Sequence, residues 1–344
     1  MDELARRLAC GPSIFPHSLD VAKRQLLLVE LSEAAIAQAS FLDQRALTPS
    51  TWGRWIPIAD IAERLDPSSR DDAQYIFHIG HVGSTLVSRL IGGIDTAFAL
   101  REPLILRDLA AIARAAPPGA RFDPDLDVVG LVRRLLARSI RPDQRTIIKA
   151  TSFVSDIAAQ LVSAQARALL LAVSPTSYFT TILAGDDSRR ELEALTPARL
   201  DRLAIRLGEP PCPPDSLGEG ERLALGWLTE TMALQAAADT LAPGATLRID
   251  FDEFLARPVE TLLAIASHLE LALSSERADA IIAGPDMQRY SKAPEYRYSA
   301  GLRKQLQEQA RRDHAGAIRN GLAWLDEAKR RHPEVAHAAA TFGG

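Results

Sequence analysis

The chain has 344 residues, 47% of them apolar and 24% charged, which is long enough for a sizeable core and far from the composition of a disordered polymer. Its net charge of -4 gives no bulk attraction to a phosphate backbone, so nucleic acid is not an expected partner. Cys10 and Cys212 lack metal-ligand spacing and read as free thiols of a reducing compartment. With no signal-peptide pattern and no run of ~18 apolar residues, the expectation is a cytoplasmic protein without a membrane partner.

Residues 1–68 read as an N-terminal extension, with an apolar stretch at Gln25–Leu31, a helix through Ala34–Ala39 and a segment carrying Trp52 and Trp55. The polar run at 67–72 is a turn-forming break. Beyond it, short apolar strands alternate with helices. Strands are predicted at Tyr75–Ile79, Ala97–Leu100, Thr146–Lys149, Ala168–Val173 and Thr246–Asp250. Helices are predicted at Ser84–Gly92, Leu104–Ala115, Leu126–Ser139, Phe153–Val162 and from Pro175 onward.

Continuous apolar strands between helices predict an α/β fold: a parallel sheet with helices on both faces. The α/β domain is expected over 69–337, with a helical insertion at about 186–243 broken by the Pro-rich loop at 210–214. A Pro/Tyr-rich stretch spans Pro285–Tyr298, and residues 338–344 are expected to be a flexible tail.

The segment with chemical potential is Gly80-His81-Val82-Gly83-Ser84-Thr85, between the first strand of the parallel sheet and its helix. Ligands of open parallel sheets bind beyond the carboxyl ends of the strands. The two glycines let the backbone turn tightly. Ser84 and Thr85 are expected to cap the helix, and its free amides would face an anion. A nucleotide triphosphatase loop of the Walker type needs Lys before the Ser/Thr, and Gly83 stands there instead.

Ile76–Leu86, together with Leu100-Arg101-Glu102-Pro103 and the late segment Leu247–Leu255 followed by Pro258 and Leu262–Leu271, resembles the sulfotransferase family. Members transfer a sulfuryl group from 3′-phosphoadenosine 5′-phosphosulfate (PAPS) and release adenosine 3′,5′-bisphosphate (PAP). The resemblance covers Gln74 to Leu271. It implies a P-loop-type fold, PAPS as donor substrate, and Gly80, His81, Val82, Gly83, Ser84 and Thr85 as the 5′-phosphosulfate loop. Three positions depart from the family pattern: His81 replaces a Lys or Arg in the loop, Val173 replaces an Arg that grips the 3′-phosphate, and Thr151 stands where the small-molecule branch carries a catalytic His.

Within that resemblance, Glu102 is the expected general base toward an acceptor hydroxyl or amine. Salt-bridging to Arg101, or capping the helix after Pro103, is its alternative. Lys149 at a strand end and His81 in the loop are expected to stabilise charge on the transferred group and leaving oxygen. Ser174 and Thr181 fall where the 3′-phosphate would lie, although Ser174 ahead of Pro175 also reads as a helix cap. Ser291 and Lys292, with Tyr290 and Arg297, would bring the missing charge from the Pro/Tyr-rich loop. His78 reads as a buried, satisfied histidine, and Asp252 and Glu253 as residues that orient the strand and cap the next helix.

The expected activity is sulfuryl transfer to a hydroxyl or amine of a small molecule or peptide. A kinase using ATP and magnesium, and a non-catalytic binding protein on the same scaffold, remain as alternatives. Trp52, Trp55 and the Cys212 loop are places for acceptor recognition or for the contacts of a homodimer.

Overall fold

The computed structural model describes residues 3–9, 11–66, 68–116, 122–123, 125–209, 213, 216–289 and 299–343. Five strands form a parallel sheet: β4 (Gln74–His78), β5 (Ala97–Arg101), β6 (Arg145–Lys149), β7 (Ala168–Ala172) and β8 (Thr246–Asp250), in the order β5-β6-β4-β7-β8. Four of the five carry almost nothing but buried residues, as strands covered on both faces must. Predicted and observed bounds agree to within a residue or two at each.

Register aligns the carboxyl ends. Ile76 pairs with Lys149, Arg101 with Lys149, His78 with Leu171, and Ala172 with Asp250. What leaves those ends therefore converges on one edge: the turn after β4, Glu102 after β5, Thr151 after β6, Ser174 after β7 and Phe251 after β8.

The helices Ser84–Gly92, Leu104–Ala115 and Pro175–Leu183 begin where the sequence places them, while the predicted Phe153–Val162 helix is a 3₁₀ turn at Ser152–Ile157 followed by a short helix at Ala158–Leu161. Helix Glu219–Thr240 is buried along most of its length and pins the end of β7, where the Trp227 indole donates to the Val173 carbonyl at 2.9 Å. Among the described residues no helix is long and apolar enough to cross a membrane.

The extension holds more structure than its sequence suggested. It forms an antiparallel sheet of β1 (Ile14–Asp20), β2 (Gln25–Glu30) and β3 (Gly53–Pro57). A register shift at Pro16/Ser18 gives β1 a bulge, as expected where Pro lacks an N–H. Ser18 and the Leu19 amide both donate to Asp108 on helix Leu104–Ala115, at 2.6 and 2.9 Å, which ties this sheet to the parallel one.

The expected tail is corrected. Residues up to 343 are described, and helix Pro333–Phe342 buries Val335, Ala338 and Phe342 against the core. Small residues let that helix approach closely, so an Ala-rich ending is a packing surface here. Cys10, Cys212, Tyr290, Ser291, Lys292 and Arg297, with residues 210–212, 214–215 and 344, lie outside the described residues.

Candidate functional site

The turn after β4 is built by backbone conformation. Gly80, His81 and Gly83 all have positive φ (79°, 53° and 66°), a region that costs a non-glycine residue such as His81 ~1–3 kcal/mol. Val82 is fully buried and anchors the turn. Gly83 is required twice over, because a Cβ there would lie 1.9 Å from the ring of Phe251.

Gly80 donates its amide to His78 Nδ1 at 2.9 Å, and His78 is buried, as expected. The amides of His81, Val82, Gly83, Ser84 and Thr85 meet no acceptor among the described residues. The helix starts at Gly83 without a side-chain cap, which corrects the capping expected of Ser84 and Thr85. Instead, the Thr85 hydroxyl is buried with no hydrogen-bond partner. Unpaired amides at a helix N-terminus beside an orphaned buried hydroxyl are donors in search of an anion.

Glu102 follows β5, at the same end of the sheet as the turn and with β6 between them. It has φ of 49°, and its amide donates to the Lys149 carbonyl at 2.7 Å. Its carboxylate receives the Lys149 ammonium on Oε1 and the Thr151 hydroxyl on Oε2, the latter at 3.2 Å. Lys149 is 1% exposed, so the two residues expected to act separately form one buried ion pair. Ser152, next in the chain, places its Oγ 3.9 Å from where a Cβ on Gly80 would stand, and this joins the ion pair to the turn.

Arg101 does not pair with Glu102, nor does Glu102 cap the following helix, which begins at Pro103 without a side-chain cap. The Arg101 guanidinium is buried and donates to the carbonyls of Ile36, Ala37 and Ala39 at 3.0, 2.5 and 2.6 Å. It closes the end of helix Glu33–Gln38, and burial lowers its pKa to about 10. Leu42 then brackets Glu102, donating to the Arg101 carbonyl at 2.7 Å and accepting from the Leu104 amide at 3.1 Å. Phe41 lies over the Lys149 ammonium, 5.8 Å from ring centre, with the Arg45 guanidinium 3.6 Å from that centre. The extension therefore forms one wall of the site.

The chain is similar to several solved sulfotransferase structures. It shares 13% identity and a TM-score of 0.41 with the sulfotransferase domain from the Curacin biosynthetic pathway, covering 67% of this chain and 85% of that one. Against a sulfotransferase from Alicyclobacillus acidocaldarius the values are 15% and 0.40, over 74% and 98% of the two chains. Against mouse sulfotransferase SULT7A1, whose structure is a complex with PAP, they are 10% and 0.41, over 79% and 89%. No family model and no curated protein matches. A likeness this distant carries no residue roles with it, and those rest on the geometry.

The remaining expected residues divide. His81 turns toward helix Asp186–Leu207, with Nε2 3.3 Å from Glu191 and Nδ1 3.4 Å from the Ser188 hydroxyl. Ser174 caps its helix, accepting from the Ser177 amide at 3.3 Å. The Thr181 hydroxyl donates to the Ser177 carbonyl at 2.7 Å and accepts from Gln307 at 2.9 Å. Asp250, not Asp252 or Glu253, caps helix Phe251–Ala256, accepting from the Asp252 and Glu253 amides at 2.7 and 3.1 Å.

Asp252 is instead held by a residue that sequence reasoning missed. Arg303 is 8% exposed and donates to Asp252 at 2.5 Å and to the Ser177 hydroxyl at 3.2 Å, with its guanidinium 5.4 Å from the Phe251 ring centre. A cation from the C-terminal helix Ala300–Asp313 thus reaches the helix that follows Val173, the position where an arginine was missed. No motif spacing points to it, because it arrives from a distant part of the chain.

Proposed function

We propose that the chain is a sulfotransferase-like enzyme that takes PAPS as donor and transfers its sulfuryl group to a hydroxyl or amine of a small molecule or peptide. The observation that carries the reading is the set of five acceptor-free amides at His81–Thr85, with the orphaned Thr85 hydroxyl, beside the buried Lys149–Glu102 pair. Donors to a charged oxygen are worth ~1.5–3 kcal/mol each, enough in such number to hold a phosphate. A sulfonated phosphate would supply an activated sulfur there.

The chain's residues would then divide the work. The amides and Thr85 hold the 5′ end, and Arg303 with Ser177 supplies the polar surface for the 3′ end. In an in-line displacement the acceptor oxygen or nitrogen bonds to sulfur while the bond from sulfur to the bridging oxygen breaks, and PAP leaves with that electron pair. Glu102 takes the acceptor's proton, for which its carboxylate oxygens keep lone pairs beyond those given to Lys149 and Thr151. Lys149 and the loop amides balance the charge that builds on the leaving oxygen.

Thermal-shift measurement tests this. PAP at 100-fold above its Kd stabilises by about 2.7 kcal/mol, a rise of several degrees in Tm. Arg303→Met and Thr85→Val are expected to shrink the rise. No rise at millimolar PAP would remove the reading, and a larger rise with ATP and magnesium would replace it with phosphoryl transfer.

A further inference from the structure

Away from the loop, a groove of about 1130 Å³ opens between helix Leu104–Ala115, the start of helix Val128–Ala137, the 3₁₀ turn Ser152–Ile157 and the end of helix Asp186–Leu207. This exceeds the usual range for a small-molecule pocket, ~300–1,000 Å³. Its walls are apolar, with Ala113, Phe122, Leu126, Val129 and Ile157 among them. Ile205, also on the groove, is 71% exposed, an apolar surface left to water.

The charged groups of the groove are mostly spent. Arg133 donates to Asp71 at 2.6 and 2.9 Å. Arg202 and Arg206 both hold Asp156 at 2.6 Å, and Arg202 also holds Glu230 at 2.7 Å. Asp127 caps its helix through the Gly130 amide at 2.9 Å. Arg114 differs: among the described residues its guanidinium has no carboxylate or carbonyl acceptor, and it lies 5.7 Å from the centre of the Phe153 ring. Arg107 lies 5.9 Å from the centre of the same ring but is paired with Asp43 at 3.8 Å, which leaves Arg114 as the unmatched charge there.

We propose that this groove binds an elongated molecule with an apolar body and one acidic group, the acid paired with Arg114 beside Phe153. Apolar walls accept the body, and Arg114 is the one lining cation whose charge nothing described neutralises. A planar guanidinium at an open rim pairs with a carboxylate bidentately. A neutral ligand would leave that charge unmatched, and a polyanion would meet Asp127 and Asp156. The inference does not depend on what the loop after β4 holds.

Isothermal titration with 6-phenylhexanoate and its alcohol, 6-phenylhexan-1-ol, tests the proposal on the full chain. The acid is expected to bind roughly 10- to 100-fold more tightly than the alcohol, the range for one charge-assisted pair. Arg114→Gln, on an exposed helical position, is expected to erase that preference while leaving alcohol binding intact. Ala113→Trp, which fills the groove, is expected to abolish both. Equal affinity for acid and alcohol, a preference that survives Arg114→Gln, or no binding of either probe would overturn the proposal. PAP titrated into the same variants reads the donor loop separately. Unchanged PAP binding with no acid preference ends this inference alone, and acid preference without PAP binding ends the sulfuryl-transfer reading alone.

Discussion

Lys149 and Glu102 come from the carboxyl ends of adjacent parallel strands and meet as a buried ion pair, with Thr151 on the second carboxylate oxygen. The pairing puts a carboxylate and a cation into one hydrogen-bonded unit at the end of the sheet from which the turn after β4 also leaves.

Because Lys149 is almost wholly buried, removing its partner strands a charge in the core. Glu102→Ala is expected to cost about 3–5 kcal/mol, the usual penalty for breaking a buried pair from one side. Glu102→Ala with Lys149→Met should cost less than the sum of the single changes. Urea unfolding of the four proteins checks this, and strict additivity would show that the two groups act independently.

Gly83 carries both a left-handed φ and the Phe251 ring within 1.9 Å of a hypothetical Cβ. Gly83→Ala should cost about 2–4 kcal/mol, from strain and overpacking together, and should also weaken PAP binding. Combining it with Phe251→Ala relieves the clash but not the φ strain, so rescue should be partial. Tm and PAP titration of the three variants decide. Full rescue would mean the backbone conformation carries no cost.

The pH dependence follows from His17, in the bulge of β1. Its Nδ1 is buried without a partner, and burial lowers its pKa from 6.5 against opposing attraction from Asp108 and Asp43. Burial also lowers His268. Between the lowered value and 6.5 the unfolded chain binds more protons, so stability is full above about 6.5 and falls as pH drops below it. Tm should therefore decline from pH 7 toward 5.5. His17→Leu should flatten part of the decline, whereas an unchanged slope would assign it to other groups.

Much of the parallel sheet could be read from the chain because burial on both faces leaves an unbroken apolar run, as in Ala168–Ala172. The antiparallel sheet of the extension could not. β3 is mostly exposed, and β1 interrupts its alternation with Pro16 and the buried His17, so neither carries a clean period. The loop was legible through Gly80 and Gly83, since positive φ selects glycine, but His81 and Glu102 adopt positive φ without any compositional mark.

By itself, then, the sequence determined the chain order of the strands in the parallel sheet, the turn at Gly80–Thr85 and the acidic residue that follows β5. Local preference and burial pattern are written residue by residue, so they survive reading one segment at a time. Tertiary structure alone decided that Lys149 binds Glu102, that His81 leans on Glu191, that Arg101 grips the extension, and that Arg303 reaches Ser177. Each of these joins segments far apart in the chain, and a long charged side chain has no partner until the fold has chosen its neighbours.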